Sequence, residues 1–117
     1  MKGRQNAVFF ADLDDVKVAA VNGPKSKEDL IAQIYSAFEP KTEAGRNWDA
    51  LDEVLCDLSW IKQKDIMIVN AGLENLPEKD VRDYADILAN ASGHWKGRKK
   101  HRFFLVLPES MKDLFAE

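Results

Sequence analysis

The chain has one cysteine, Cys56, in 117 residues. A single thiol excludes an internal disulfide, and it fits a reducing compartment better than a secreted, disulfide-built scaffold. There are two histidines, His94 and His101, both set among lysines and arginines. Neither has a metal-ligating neighbour at helical spacing, so no metal centre is expected. The six glycines, Gly3, Gly23, Gly45, Gly72, Gly93 and Gly97, form neither GxGxxG nor the GxxxxGK pattern of a phosphate-cradling loop. No apolar run approaches the ~18 residues of a membrane span. The opening MKGRQNAVFF meets Asp12, Asp14 and Asp15 too soon for a signal peptide. The expectation is a cytoplasmic protein without cofactor or membrane association.

Catalytic groups are equally scarce. Cys56 falls toward carboxylates, which disfavour a thiolate nucleophile. Asp49 and Glu53 are a carboxylate pair, but they stand side by side on one helix with no cleft expected between them, a poor setting for glycoside chemistry. No enzyme is expected.

What is present is an ordinary globular composition, 45% hydrophobic and 32% charged with a net charge of −3, and a length that suits a single domain over residues 1–117. The most informative stretch is GRNWDALDEVLCDLSWI, from Gly45 to Ile61. Asn47 is a helix cap, its side chain placed to accept from a free N–H of the first turn. Leu51, Val54, Leu55 and Leu58 recur at i, i+3, i+4 and i+7 and share a face that must be buried. Asp49 and Glu53 are neighbours on another face, with Asp52 beside them and Asp57 continuing the row. No Lys or Arg falls between Trp48 and Ile61. An acid in the first turn is favoured by the helix dipole, and a charged face is commonly just solvated. A structural surface helix, however, tends to alternate its signs.

Along the chain, Ala7 to Leu13 and Val16 to Val21 read as strands. Whether they form a hairpin, or one strand with an irregular partner, stays open. Asn22-Gly23-Pro24 is a turn. Ser26 caps a helix to about Phe38, with Asp29 as a weak capping-box partner, and Glu39-Pro40 ends it. Lys41 to Gly45 is a loop into the central helix. Ile66 to Val69 reads as a strand buried on both faces. Pro77 opens a third helix, buried along Val81, Tyr84, Ala85, Leu88 and Ala91 and stopped by Ser92-Gly93. His94 to Arg102 is a basic loop, Phe103 to Leu107 a strand, and the tail adds a helical turn or two through Met111, Leu114 and Phe115. Strand, helix, helix, strand, helix, strand predicts an α/β fold with a small parallel sheet of three strands flanked by helices. Leu51, Leu55, Leu58, Ile66, Ile68, Leu88, Phe104 and Val106 are expected to be buried together.

The run GRNWDALDEVLCDLSWI resembles the signature of the barstar-like ribonuclease inhibitors, and the order of elements extends that resemblance over roughly Val16 to Leu107. The resemblance implies a three-stranded parallel sheet, with Ala7 to Leu13 as an added edge strand or arm. It implies an intracellular, immunity-type inhibitor that fills the active site of a basic secreted ribonuclease or ribonuclease toxin with an acidic helix and the loop before it. By the same resemblance the partner-binding residues are Gly45, Arg46, Asn47, Trp48, Asp49, Asp52, Glu53 and Asn90. Asp49 matches the family's first key aspartate, and Glu53 stands where the best-known member has a second aspartate. Gly45 matches its turn glycine and Asn47 its cap. Glu43 and Ala44 replace an aromatic pair, Asp52 replaces an aromatic residue and Trp48 a leucine. Asn90 stands where the third helix approaches the partner, without the acid.

The alternative is a nucleic-acid-associated regulator. HWKGRKKHR carries five Lys or Arg and no acid beside Trp95, a combination able to track a phosphate backbone and stack a base. Against it, such charges also guard the apolar run FFLVL from aggregation and the whole chain is acidic. Nucleic acid is therefore the less favoured partner.

Overall fold

The computed structural model describes residues 15–40 and 45–115. The order is β1 (Val16–Asn22), α1 (Lys27–Phe38), α2 (Trp48–Asp57), β2 (Asp65–Ala71), a 3-10 turn (Leu73–Asn75), α3 (Glu78–Trp95), β3 (Arg102–Val106), a second 3-10 turn (Glu109–Met111) and α4 (Lys112–Phe115). The expected α/β fold is present: three parallel strands in the order β1-β2-β3, with helices packed against them. The expected strand over residues 7–13 lies outside the described residues, as do residues 41–44 of the expected loop.

That strand order has a consequence for the two faces of the sheet. Parallel neighbours need crossover connections, and successive right-handed crossovers that step in one direction place their helices on the same face. Ala19, Val21, Ile66 and Ile68 point to the helical face and are buried, beneath Leu30, Ile31, Ile34, Leu51, Leu55 and Leu88. On the other face Val18, Phe104 and Val106 are 46%, 42% and 45% exposed. Phe104 and Val106 are thus not in the core; Phe103 and Leu105, the alternate residues of β3, pack against it instead. Likewise β2 is not buried on both faces: Ile66, Ile68 and Asn70 alternate with half-buried Met67 and Val69. An unbroken apolar run does not say which of its two faces meets the helices.

The helices end where local chemistry and tertiary anchors agree. Ser26 Oγ accepts from Asp29 N–H at 3.0 Å, and Asp29 Oδ2 accepts from Lys25 N–H at 2.8 Å, one residue before the bond of a true capping box. Glu39, before Pro40, leaves α1 in the left-handed region at φ 49°. Gly72 is required to be glycine: its φ is +69°, and a Cβ there would lie 2.9 Å from the backbone nitrogen of Gly23.

The helix α3 passes through Ser92-Gly93 and ends only at Trp95. Its last turn is held by tertiary contacts that outweigh one glycine, worth about 1 kcal/mol. Trp95 is buried, and its Nε1–H donates to Leu55 O at 2.8 Å. Its indole also meets His101 edge-on at 5.1 Å. His101 is a core residue rather than a loop histidine, fully buried with Nδ1 2.8 Å from Gln63 O and Nε2 2.9 Å from Leu58 O. In this way β3 is tied to the chain that leaves α2, where Leu58 is left-handed at φ 47°.

Candidate functional site

Two elements present the residues singled out in the central stretch. Asn47 is extended, and its Oδ1 accepts from Ala50 N–H at 2.8 Å, so α2 starts at Trp48. The turn before it is pinned to α1, with the Tyr35 hydroxyl donating to Gly45 O at 2.9 Å. A Cβ at Gly45 would lie 3.0 Å from the Asn47 amide nitrogen, crowding the cap. Arg46 and Glu53 belong to this flank. Burial pushes the Tyr35 hydroxyl up, Arg46 opposes that and Glu53 adds to it.

Between α2 and α3 runs a cleft of about 410 Å³, lined by Trp48, Asp49, Asp52, Asp83, Asp86, Ile87 and Asn90. No cleft was expected beside these acids, because it is made by the second helix. The Asn90 amide donates to Asp52 Oδ1 at 2.8 Å and fixes that carboxylate across the helix pair. Cys56 Sγ lies 3.9 Å from the same oxygen. Burial, and after it the charge of Asp52, pushes the Cys56 thiol up, away from a thiolate. At the cleft's end Trp48 stacks on buried Tyr84, with centroids 6.1 Å apart and planes at 23°, and Lys27 Nζ lies 5.9 Å from the Trp48 ring. Tyr84 is itself locked, its hydroxyl donating to buried Asn70 at 2.5 Å.

Trp48, Asp49, Asp52 and Asn90 are therefore brought together in the cleft, whereas Gly45, Arg46 and Glu53 lie on the Tyr35 side. Asp83 and Asp86 were missed. Their signal was helical spacing, since both fall on the face of Asn90, seven and four residues before it. Asp83 is paired with Lys79 at 2.9 Å. Among the described residues Asp49, Asp52, Glu53 and Asp86 make no ion pair, and no group of three or more metal-ligating side chains occurs. A concavity of carboxylates with an aromatic wall suits guanidinium or ammonium groups.

The family profile described as Barstar (barnase inhibitor) matches residues 15–108. The chain belongs to the barstar family. The match spans β1 to β3, including both walls of the cleft, and leaves residues 1–14 and α4 outside. No curated protein and no solved structure matches the chain.

Within this barstar-family fold the basic segment is built differently. Trp95, the aromatic expected to stack a base, is buried. Arg98 Nε donates to His94 O, Lys64 Nζ donates to Lys99 O, and Arg102 is bidentate on Asp65 at 2.7 and 3.0 Å. Lys96, Lys99 and Lys100 are exposed. No helix among the described residues is long and apolar enough to cross a membrane.

Proposed function

We propose that the chain is an inhibitor of a basic ribonuclease, an immunity-type protein that binds rather than catalyses. In this reading the α2–α3 cleft and the turn before α2 fill the enzyme's active site. A ribonuclease gathers phosphates with Lys, Arg and His, and carboxylates held on a rigid frame substitute for those phosphates. Asp49 and Asp52 are the central contacts, with Glu53 and Asp86 beside them. Trp48 supplies the apolar wall, Asn90 fixes Asp52, and Gly45, Arg46 and Asn47 shape the approach. The observation that carries the reading is the bond from Asn90 to Asp52 at 2.8 Å. It orients a carboxylate that has no cationic partner among the described residues, in a chain of the barstar family. Membership supports the kind of partner, and the net charge of −3 supports attraction to a cationic one.

The test is RNA hydrolysis by secreted basic ribonucleases, barnase first, titrated with the wild type and with the Asp49→Ala/Glu53→Ala double variant. Stoichiometric inhibition by the wild type, weakened in the variant, is the expected result. If no ribonuclease of the panel is inhibited, and both proteins capture the same partners from a secreted fraction, the proposal fails.

A further inference from the structure

The sheet has two outer edges, β1 and β3, and they are finished differently. The backbone groups of successive strand residues point to opposite sides. On β1, Gly23 N–H donates inward to Ala71 O at 3.0 Å, so the groups of Asn22 face out. The Gln33 side chain takes both: its Oε1 accepts from Asn22 N–H at 2.8 Å, and its amide donates to Asn22 O at 3.4 Å. On β3, Arg102 N–H donates to Lys64 O at 2.9 Å, and Val106 O accepts from the Asn70 amide at 3.2 Å. Those two residues turn their backbone toward β2, so Phe103 and Leu105 turn theirs outward. No strand or side chain among the described residues bonds to that outward backbone. Edge strands are usually protected by a charge, a proline or a bulge, and β3 has none from Phe103 to Val106. The same strand borders the exposed apolar face of the sheet, on which Val18, Met67 and Phe104 are aligned in one row.

We propose that a second copy of the chain pairs with this edge, β3 against β3 and antiparallel, about a two-fold axis at Phe104. In that register Phe103 and Leu105 of the second copy exchange both N–H···O bonds, and the symmetric pair repeats them. Phe104 meets its own counterpart at the closely spaced, non-hydrogen-bonded position, where aromatic pairs are favourable. Arg102 comes opposite Val106, so no like charges meet. Charge selects this arrangement. The segment before β3 is basic, from His94 to Arg102, whereas Glu109 and Asp113 follow the strand. An antiparallel copy sets opposite signs together, and a parallel one would set like beside like. With the axis at Phe104, Lys99 of one copy comes opposite Glu109 of the other, and both are exposed. An axis at Phe103 or Leu105 would put Lys99 opposite Leu107 or buried Met111 instead. A cavity of about 330 Å³ between the end of α3 and β3, lined by Trp95, Lys96, Arg98 and Phe103 among others, leaves room for Leu105 and Leu107 of the second copy. The inference does not rest on the inhibitor reading, because no residue lining the acidic cleft belongs to β3.

The test uses the full chain. Sedimentation velocity over a concentration series is expected to show a monomer–dimer equilibrium, and hydrogen exchange of the Phe103 and Leu105 amides should slow as the dimer forms. Phe104→Lys changes an exposed position and sets like charges opposite each other at the axis. It should weaken the dimer by about tenfold. Lys99→Glu and Glu109→Lys should each weaken it a few-fold, and an equimolar mixture of the two should restore it, because every altered charge then meets its opposite. A monomer at every concentration overturns the proposal. A dimer that leaves exchange at Phe103 and Leu105 unchanged overturns it in favour of stacking through the sheet face. A mixture that associates no better than either variant alone overturns the register.

Discussion

The acidic cleft and the basic segment share α3 yet are built in opposite ways. In the cleft the frame is fixed first: the Asn47 cap, the Tyr35 bond to Gly45, the Trp48–Tyr84 stack and the Asn90 bond to Asp52. Of the carboxylates that line the cleft, Asp83 pairs with Lys79, whereas Asp49, Asp52 and Asp86 remain without ionic partners among the described residues. After α3, Arg98 is bonded to a carbonyl and Arg102 to Asp65, and the aromatic is turned inward. Density of charge therefore does not make a site. What distinguishes the cleft is that groups able to meet a partner are held still while their charges stay uncompensated.

The largest expected effect tests the inward turn of the aromatic. Trp95→Ala removes a buried indole and leaves the Leu55 carbonyl without its donor. It should cost about 3–5 kcal/mol, read from urea denaturation. A loss below about 1 kcal/mol, the scale of surface changes, would return Trp95 to the surface and revive a stacking role for the basic segment.

Next comes the cleft. If Asp49 meets a buried cation in the complex, Asp49→Ala leaves that cation unpaired and costs about 2–5 kcal/mol, a range that the barnase–barstar pair itself helped to set. Most of it should appear as faster dissociation from the inhibited ribonuclease. Asp57, exposed near the end of α2, should act mainly on the association rate. Asp49→Ala with unchanged dissociation would reduce the acids to a solvated face. A smaller effect belongs to the frame: Asn47→Ala removes the 2.8 Å cap bond and should cost about 0.5–2 kcal/mol of stability, visible as a lower denaturation midpoint.

These differences mark what was legible in the sequence. The cap at Asn47 and the stripe Leu51, Val54, Leu55 and Leu58 were readable because both follow from the helical period, and those four residues are buried. The parallel order followed from alternation of elements. The faces of β3 were not readable, because Phe103, Phe104, Leu105 and Val106 are apolar on both sides, and only the crossovers decide which side meets the helices. The end of α3 was misplaced for a related reason. Ser92-Gly93 is a local stop, and it yields to Trp95, whose partner Leu55 lies 40 residues away. The cleft is a property of two helices, so reading α2 alone showed its acids without the wall formed by Asp83, Asp86 and Asn90.

The smallest expected effect separates the two regions by sign. Replacing Lys96, Lys99 and Lys100 by alanine touches exposed side chains that make no ion pair among the described residues. Stability should therefore change by no more than about 0.5 kcal/mol. The triple change makes the net charge of −3 more negative by three. Toward a basic ribonuclease it should raise the association rate modestly at low salt, and the gain should fade as the screening length shortens to about 8–10 Å at 0.10–0.15 M. Removing Asp49, Asp52 and Glu53 should act the other way, with slower association and a flatter dependence on salt. A segment that binds nucleic acid would behave differently. The triple lysine variant would then lose retention on heparin or RNA that the wild type shows at moderate salt, with little change toward the ribonuclease. Stopped-flow association across a salt series, run beside the column, gives the two regions opposite signs if the cleft is the site. Equal salt slopes for the lysine and carboxylate variants would remove the distinction between them.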